Sequence, residues 1–472
     1  MEKFIAGISL ETKRVSCVIG VLKENGETGK QSAEILSASS KEVDVKLMNR
    51  GCPNNMNLIT QLVREAVEET ENSINSKKSK DGTPLYDSPV KASEFYLSVH
   101  GSDFICISGH IEKNYDTAKE IKKDILYEIF EESIEELKSK YPSIANYEII
   151  HTIPGKFTSK NSHVATDNPL DMALSSLLCD YVAVATSAEG INNVNSASVC
   201  TGDYNIERIF YTPVATGEYL LSTMEKTRGV ILIDMGRLTT SMSLYKDGSL
   251  VFFKEIDTGG ETVTMNIQEY LNQFQNTGNE FTFQAAEDLK KERAAVNPCF
   301  LETKGKNIIK TDLKDVSDEE LIKKCILIHL NEVLSVLESY FTEFLRKNRL
   351  PKSAFSSIVL TGGASEIKGM RNLMKEFFSV ELVRPGKKAP SASIGQTVEI
   401  KCPDEFQKME YIAAAATLNY AMNAPSQNDL YTFNTADETS AKPLDWMLRT
   451  YEKITSFFAN LGKKQNDKKK AN

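Results

Sequence analysis

Asp234 closes the apolar run GVILIDMG at 229–236, and two hydroxyls, Thr239 and Thr240, follow in the next turn. A carboxylate at a strand end can hold the waters of a magnesium ion, while hydroxyls and backbone N–H groups of the turn suit a phosphate. A merely capped turn is the competing reading for this segment alone. Downstream, the apolar stretch SSIVL runs into Thr361, Gly362, Gly363 and Ser365, and paired glycines let a backbone approach a nucleotide closely. In AAEDLK, Glu287 and Lys290 stand three residues apart on one helix face, a spacing that an ordinary solvated ion pair also satisfies. Each element has a bland alternative. Two glycine- or hydroxyl-bearing turns, each after a buried strand and in this order, point to a nucleotide.

Such turns need strands to carry them. FIAGISL and VSCVIGVL read as a hairpin joined by Glu11, Thr12, Lys13 and Arg14, and GVILIDMG with SMSLYKDGSLVFFKEI repeats that outline about two hundred residues later. The second unit turns at Lys246, Asp247 and Gly248. Two related halves are therefore expected. Residues 57–76 form a helix with Leu58, Leu62, Val63 and Ala66 at helical spacing, and 76–93 is a loop. EFYLSVHG, DFICISGHI and YEIIHTIP read as strands, with one long helix over 117–141, stopped before Pro142, between the last two; this block is expected as a small inserted domain. Helices are expected over 261–294 and 317–348, and the polar, aperiodic stretch 423–443 suits a flexible linker.

A chain of 472 residues exceeds one hydrophobic core, so two or more domains are expected. Its formal charge of −9 argues against wholesale nucleic-acid binding, and no nucleic-acid partner is expected. The eight cysteines show no C-x-x-C pair and fit a reducing cytosol. No long signal-peptide core and no run of about eighteen apolar residues occurs, so the expectation is a cytoplasmic protein able to lie on a membrane.

That ability has a candidate. From Leu444 to Leu461, steps of about 100° place Leu444, Met447, Leu448, Tyr451, Ile454, Phe458 and Leu461 on one face, with Trp446 and Phe457 near its edge. Asp445, Arg449, Glu452, Lys453 and Asn460 lie opposite, and Lys463, Lys464 and three further lysines follow. A helix docked on the body is the competing reading. The preceding polar linker and the trailing lysines favour an interfacial helix on an anionic membrane.

The order AGISLETKRV, ESIEELKSKYP, IIHTIP, NPLDM, TPVATGEYLLSTMEK, GVILIDMGRLTT, DTGGETVT, AAEDLK, VLTGGASEIKGM and LVRPG resembles FtsA, the bacterial division protein that anchors FtsZ to the membrane. The resemblance runs from residue 5 to about 420. It implies an α/β, actin-like (sugar kinase, heat-shock 70, actin) two-lobed fold with an inserted small α+β subdomain in the first lobe. The implied layout is a first lobe at 1–89 and 173–206, the insert at 90–172, and a second lobe at 207–422 with an outer part at 261–345. A linker at 423–443 and a targeting helix with basic tail at 444–472 complete it. The resemblance further implies ATP with magnesium, Asp234 being the residue nearest the metal. Thr12 would belong to the first phosphate loop, and Asp234, Gly236, Thr239 and Thr240 to the second. Gly260, Glu287, Lys290, Gly362, Gly363 and Ser365 would complete the nucleotide site. The implied partners are FtsZ, later division proteins, an anionic membrane surface at the division septum, and further copies of the chain in a filament.

The chain departs from that family where phosphate would sit. Its first loop reads Ser9, Leu10, Glu11 where an acidic residue, an apolar one and glycine are usual, and its second has Arg237 and Leu238 where small glycines are expected. A charge about 4 Å from a phosphate costs roughly 1–4 kcal/mol. Either Arg237 compensates by pairing with Glu11 or with a phosphate, or the two changes mark a pocket in which ATP binding is weak or lost. Thr212 stands where relatives carry a water-orienting glutamate, so slow hydrolysis at most is expected. A pilus-assembly actin-like protein and a catalytic ATPase or kinase of this superfold are the alternatives.

Overall fold

The computed structural model describes residues 2–24, 31–44, 46–49, 52–79, 81–160, 162–274, 281–293, 295–296, 318–387 and 399–423. Elements are numbered in chain order.

The first sheet grows from the N-terminal hairpin, β1 (Glu2–Glu11) and β2 (Arg14–Glu24), to which β3 (Gln31–Glu42) adds antiparallel. On the other side of β1 lie β6 (Glu94–Val99) and β12 (Ile206–Tyr211), both parallel, and β18 (Glu399–Lys401) closes the β3 edge. The short hairpin of β4 (Met48–Asn49) and β5 (Cys52–Pro53) leads into helix α1 (Met56–Asn75), capped by Asn55, whose side chain accepts the Leu58 N–H. Ile59, Val63, Ala66, Val67 and Ile74 form the buried face of α1, whereas Leu58 is exposed. The apolar stripe is thus rotated from the one that starts at Leu58, because the sheet selects the face with the continuous i, i+4, i+7 row.

The second such sheet repeats that order over five strands, without a counterpart of β18. Strands β13 (Val230–Met235), β14 (Thr240–Lys246) and β15 (Ser249–Ile256) form the antiparallel run, and β16 (Ser357–Thr361) and β17 (Leu382–Pro385) add parallel beside β13. The β14–β15 turn places Asp247 and Gly248 both at positive φ, the type I′ geometry that matches strand twist. Both faces of β13 are buried. Val230 and Leu232 join the core beneath the first sheet, while Ile231 and Ile233 join a separate core. That separate core is covered by α6 (Gly260–Phe274), α7 (Phe283–Arg293), α8 (Asp318–Lys347) and α9 (Met370–Phe378).

A third sheet stands apart. Strand β7 (Phe104–Glu120) pairs along its length with β11 (Ala173–Thr186), which also takes β8 (Glu148–Pro154) and β9 (Phe157–Ser159), with β10 (Ser162–Thr166) outermost. Helix α2 (Lys123–Lys140) covers it with Leu126, Ile129 and Phe130. Thr117–Glu120 therefore do not open a helix, as their propensity suggests. The ladder partners of Lys119 and Glu120 are Leu174 and Ala173, so cross-strand hydrogen bonds outweigh local preference there. This sheet also runs from 104 to 186 and not from 90 to 172, since β6 belongs to the first sheet and β11 to the third.

The chain crosses between halves more than once. After β12 and α3 (Ala188–Val199), helix α4 (Thr212–Leu220) and α5 (Thr223–Arg228) bring it to β13. Helix α10 (Ile412–Asn423) then returns to pack on β1, β2, β6 and α4. A Cβ on Gly7 would run into the α10 backbone at Ala414 and Leu418, so that close approach needs glycine. Residues 206–220 and 399–423 accordingly share the core of the first sheet, and a second lobe bounded at 207 and 422 does not coincide with the cores.

Candidate functional site

The turns after β1 and β13 open onto one cleft of about 890 Å3. Pockets of this size hold small ligands and cofactors. The cleft is lined by Thr12, Asp234, Gly236, Thr239, Gly260, Glu287, Lys290, Gly362 and Gly363 among others. Thr240 and Ser365 are turned elsewhere. The Thr240 hydroxyl donates to the Thr258 carbonyl at 2.7 Å, just past the end of β15, and that of Ser365 donates to the Gly362 carbonyl at 2.6 Å, closing its own turn. Ser365 instead borders a neighbouring groove between 365–372 and 385–387.

Gly362 is held at φ 80°, and a side chain there would meet the Asp234 carboxylate and the Met235 backbone. Its lack of a Cβ is what lets the β16 turn lie against the end of β13. On the outer wall, Lys290 donates to Glu287 at 2.6 Å, to the Thr264 hydroxyl at 2.6 Å and to the Gly260 carbonyl at 2.8 Å. The pair is thus a tie between α7 and the start of α6. Burial works against charge on both partners, yet Lys290, Thr264 and Lys291 hold the Glu287 carboxyl below its usual range.

The floor is acidic. Glu11, Asp234 and Glu255 meet there, with His100 as the nearest imidazole. Glu255 is only 2% exposed, so its charge depends on its partners. His100 Nδ1 lies 3.3 Å from it, and the Tyr211 hydroxyl and the Gly101 N–H donate to it at 2.8 and 3.3 Å. Burial pushes the Glu255 carboxyl up, but His100, Tyr211 and Thr239 together bring it below the usual carboxylate range. Burial lowers His100 in turn, and the charges of Glu255, Glu11 and Asp234 outweigh that to raise it. Asp234 has no such set of donors: burial, with the charge of Glu11, pushes it up to about 7. Glu11 is likewise raised by burial, against the opposing pull of Arg14 and His100.

Arg237 pairs with neither Glu11 nor an open site. Its Nε donates to Glu261 at 2.5 Å, inside the first turn of α6. The adjacent backbone is also committed. Gly236 N–H donates to the Thr239 carbonyl at 2.9 Å, and the N–H groups of Gly260 and Glu261 donate to the carbonyls of Gly236 and Arg237 at 3.0 and 2.8 Å.

Glu255, His100, Lys13 and Lys291 also line or border this cleft and were not singled out by sequence reasoning as site residues. His100 carried a usable signal, since VHG repeats at the end of β6 the polar-residue-then-glycine arrangement of LTGG at the end of β16. Glu255 carried a weaker one, as a carboxylate within the apolar strand β15. The residues expected to bind the membrane, Trp446, Met447, Tyr451, Ile454, Phe457, Phe458, Leu461, Lys463 and Lys464, lie outside the described residues, as does the linker.

A family model described as cell division protein FtsA matches residues 231–416. The cell division protein FtsA of Borreliella burgdorferi is 27% identical over 256 residues, which cover 53% of this chain and 59% of that protein. With FtsA of Buchnera aphidicola subsp. Baizongia pistaciae the chain shares 22% identity over 80% of its length and 83% of that protein's. With FtsA of Buchnera aphidicola subsp. Schizaphis graminum it shares 21% over 97% and 98%. Among solved structures, a PilM–PilN type IV pilus biogenesis complex aligns with a TM-score of 0.56 at 15% identity, covering 90% of this chain and 97% of that one. The fold is therefore actin-like, and its two sheets, which share the order of five strands, are the two halves of that architecture.

Proposed function

From this chain's similarity to FtsA along nearly its whole length, we propose that it is a cell-division adaptor. Its actin-like body binds an adenine nucleotide and associates with further copies of itself. It holds an FtsZ filament at the cytoplasmic face of the membrane, at the septum, where later division proteins join. The observation that carries this reading is the match to FtsA over 231–416, the segment that supplies the second hairpin, the Glu287–Lys290 wall and the Gly362 turn of the cleft.

Thr12, Gly236, Thr239, Gly260, Glu287, Lys290, Gly362 and Gly363 would surround the nucleotide. Asp234, the carboxyl near the end of β13, would hold a magnesium ion through its waters. Among the described residues no cluster of three or more His, Cys, Asp or Glu has metal-holding geometry, so such an ion would keep mostly water and phosphate oxygens. Its chemistry would be charge neutralisation of the phosphates. The committed donors of the second turn support slow turnover, because catalysis of phosphoryl transfer depends on donors preorganised toward developing charge.

No helix among the described residues is long and apolar enough to cross a membrane. Attachment is assigned to 444–470, whose apolar stripe and lysines supply burial and about 1 kcal/mol per nearby cation. Flotation with anionic liposomes, with and without FtsZ, tests the reading. The full chain should float and carry FtsZ with it, Phe458→Glu should release it, and a chain ending at Asn423 should stay at the bottom. Flotation of the shortened chain equal to that of the full one would overturn the assignment, and failure to carry FtsZ would overturn the adaptor.

A further inference from the structure

Resting on the nucleotide reading above, we infer that His151, which lies outside the cleft, is a positioning residue for it. From the third sheet it fixes Tyr211 at the start of α4, and through Tyr211 it sets Glu255 on the cleft floor.

His151 belongs to β8, yet its partner lies in another sheet. Strand β12 is an edge of the first sheet, where outward backbone groups have no further strand to pair with. The N–H of Tyr211, the last residue of β12, donates instead to Nε2 of His151 at 2.9 Å. Both side chains are fully buried. An imidazole nitrogen that accepts from an amide carries no proton, so this contact is specific to one side of the ring. Phe210 stacks on that ring at 6.1 Å between centroids, and Tyr420 of α10 meets it edge-on at 5.8 Å, so packing holds the imidazole in place.

Tyr211 carries that hold into the cleft. Its ring lies 4.5 Å from that of Phe104 in β7 and 5.0 Å from that of Phe253 in β15, and its hydroxyl donates to Glu255 at 2.8 Å. Glu255 also accepts from the hydroxyl of Thr239 on the second turn, and His100 Nδ1 stands 3.3 Å from it. One residue beyond Tyr211, Thr212 lines the cleft as the first residue of α4. That helix start has no capping side chain of its own, so the imidazole is what anchors the backbone there.

A histidine that only satisfied the core would end at the Tyr211 amide. Here the residue that takes its hydrogen bond also supplies a hydroxyl to the floor, so two polar links run in series from the third sheet to Glu255 and Thr239. Removing the imidazole frees the Tyr211 backbone, and with it the hydroxyl on which the buried Glu255 depends. The floor is thus held from outside the cleft.

The test is isothermal titration of the full chain with ADP and magnesium, applied to His151→Phe, Tyr211→Phe and the double variant. The first keeps an aromatic ring and loses the acceptor; the second keeps the ring and loses the hydroxyl. Each should weaken ADP by about fivefold, the equilibrium value of one hydrogen bond. Because the links run in series, the double variant should stay within about twofold of the weaker single, whereas independent effects would multiply to about twenty-five-fold. His151→Gln, whose amide oxygen again accepts from the Tyr211 N–H, should return ADP binding to within about twofold of wild type. Thermal melting without nucleotide shows which variants retain the fold. Should His151→Phe not fold, amide exchange at Tyr211 decides: ADP should slow it in wild type and not in Tyr211→Phe. Variants that melt earlier yet bind ADP as wild type does, a double variant whose loss is the product of the singles, or exchange at Tyr211 indifferent to ADP each overturn this inference and leave the nucleotide reading standing. No binding of ADP by wild type at millimolar concentration overturns both.

Discussion

The two hairpin turns that face the cleft occupy equivalent places in two sheets that share the order of five strands, yet they are built in opposite ways. The β1–β2 turn is only Thr12 and Lys13 between the paired residues Glu11 and Arg14, and its charged side chains look into the cleft. The β13–β14 turn is longer and is tied to the first turn of α6 by backbone hydrogen bonds and by the Arg237–Glu261 pair. Equivalent topology thus fixes where a turn stands, while the neighbouring helix decides whether its polar groups remain available. The second turn is the rigid wall of the cleft and the first is its charged one.

The largest expected effect breaks the rigid wall. Gly362→Ala puts a methyl group at φ 80° against Asp234 and Met235. Denaturant unfolding should show a loss of about 3 kcal/mol, combining a left-handed backbone cost of roughly 1–2 kcal/mol with overpacking of similar size. Glu255→Ala comes next. It strips the partner from His100 and the Tyr211 hydroxyl in a buried place, and a loss of about 2 kcal/mol is expected in the same measurement.

The pH dependence of Asp234 sharpens the contrast between floor and walls. Its carboxyl is raised from 3.8 to about 7 in the folded chain. Its contribution to stability is therefore fully present below the unfolded value and is lost as pH rises through about 7. Asp234→Asn removes that loss. The difference in unfolding free energy between variant and wild type should favour the variant by more than about 1 kcal/mol at high pH relative to low pH. No change in that difference between about pH 4 and 8 would contradict the burial argument.

Arg237→Ala should unlock the second turn at a cost of about 1–2 kcal/mol, since both partners of the pair are mostly buried and Glu261 is left alone. Faster amide exchange at Gly260 and Glu261 would follow, because their hydrogen bonds hold the turn carbonyls. The smallest effect is a control beside the largest. Gly363→Ala meets nothing within 4 Å and should stay within about 0.5 kcal/mol of wild type.

The sequence by itself determined the two strand-turn-strand units, the helix over 57–76 and the strand ending in LTGG. Those signals are local: apolar period, turn chemistry and glycine placement act within a few residues of one another. It also pointed to Asp234, Thr239, Glu287, Lys290 and Gly362 before any fold was known. Only the tertiary structure decided which hydroxyls face the cleft, sending Thr240 to Thr258 and Ser365 to Gly362, because a hydroxyl takes the nearest acceptor the packed backbone offers. It alone decided that Arg237 meets Glu261 twenty-four residues away, and that β11 pairs with β7 across some seventy residues. Strand pairing over such separations has no short-range pattern to reveal it. The same holds for Glu255, an unremarkable carboxylate along its own strand that becomes the centre of the floor once β6 and β12 bring His100 and Tyr211 to it.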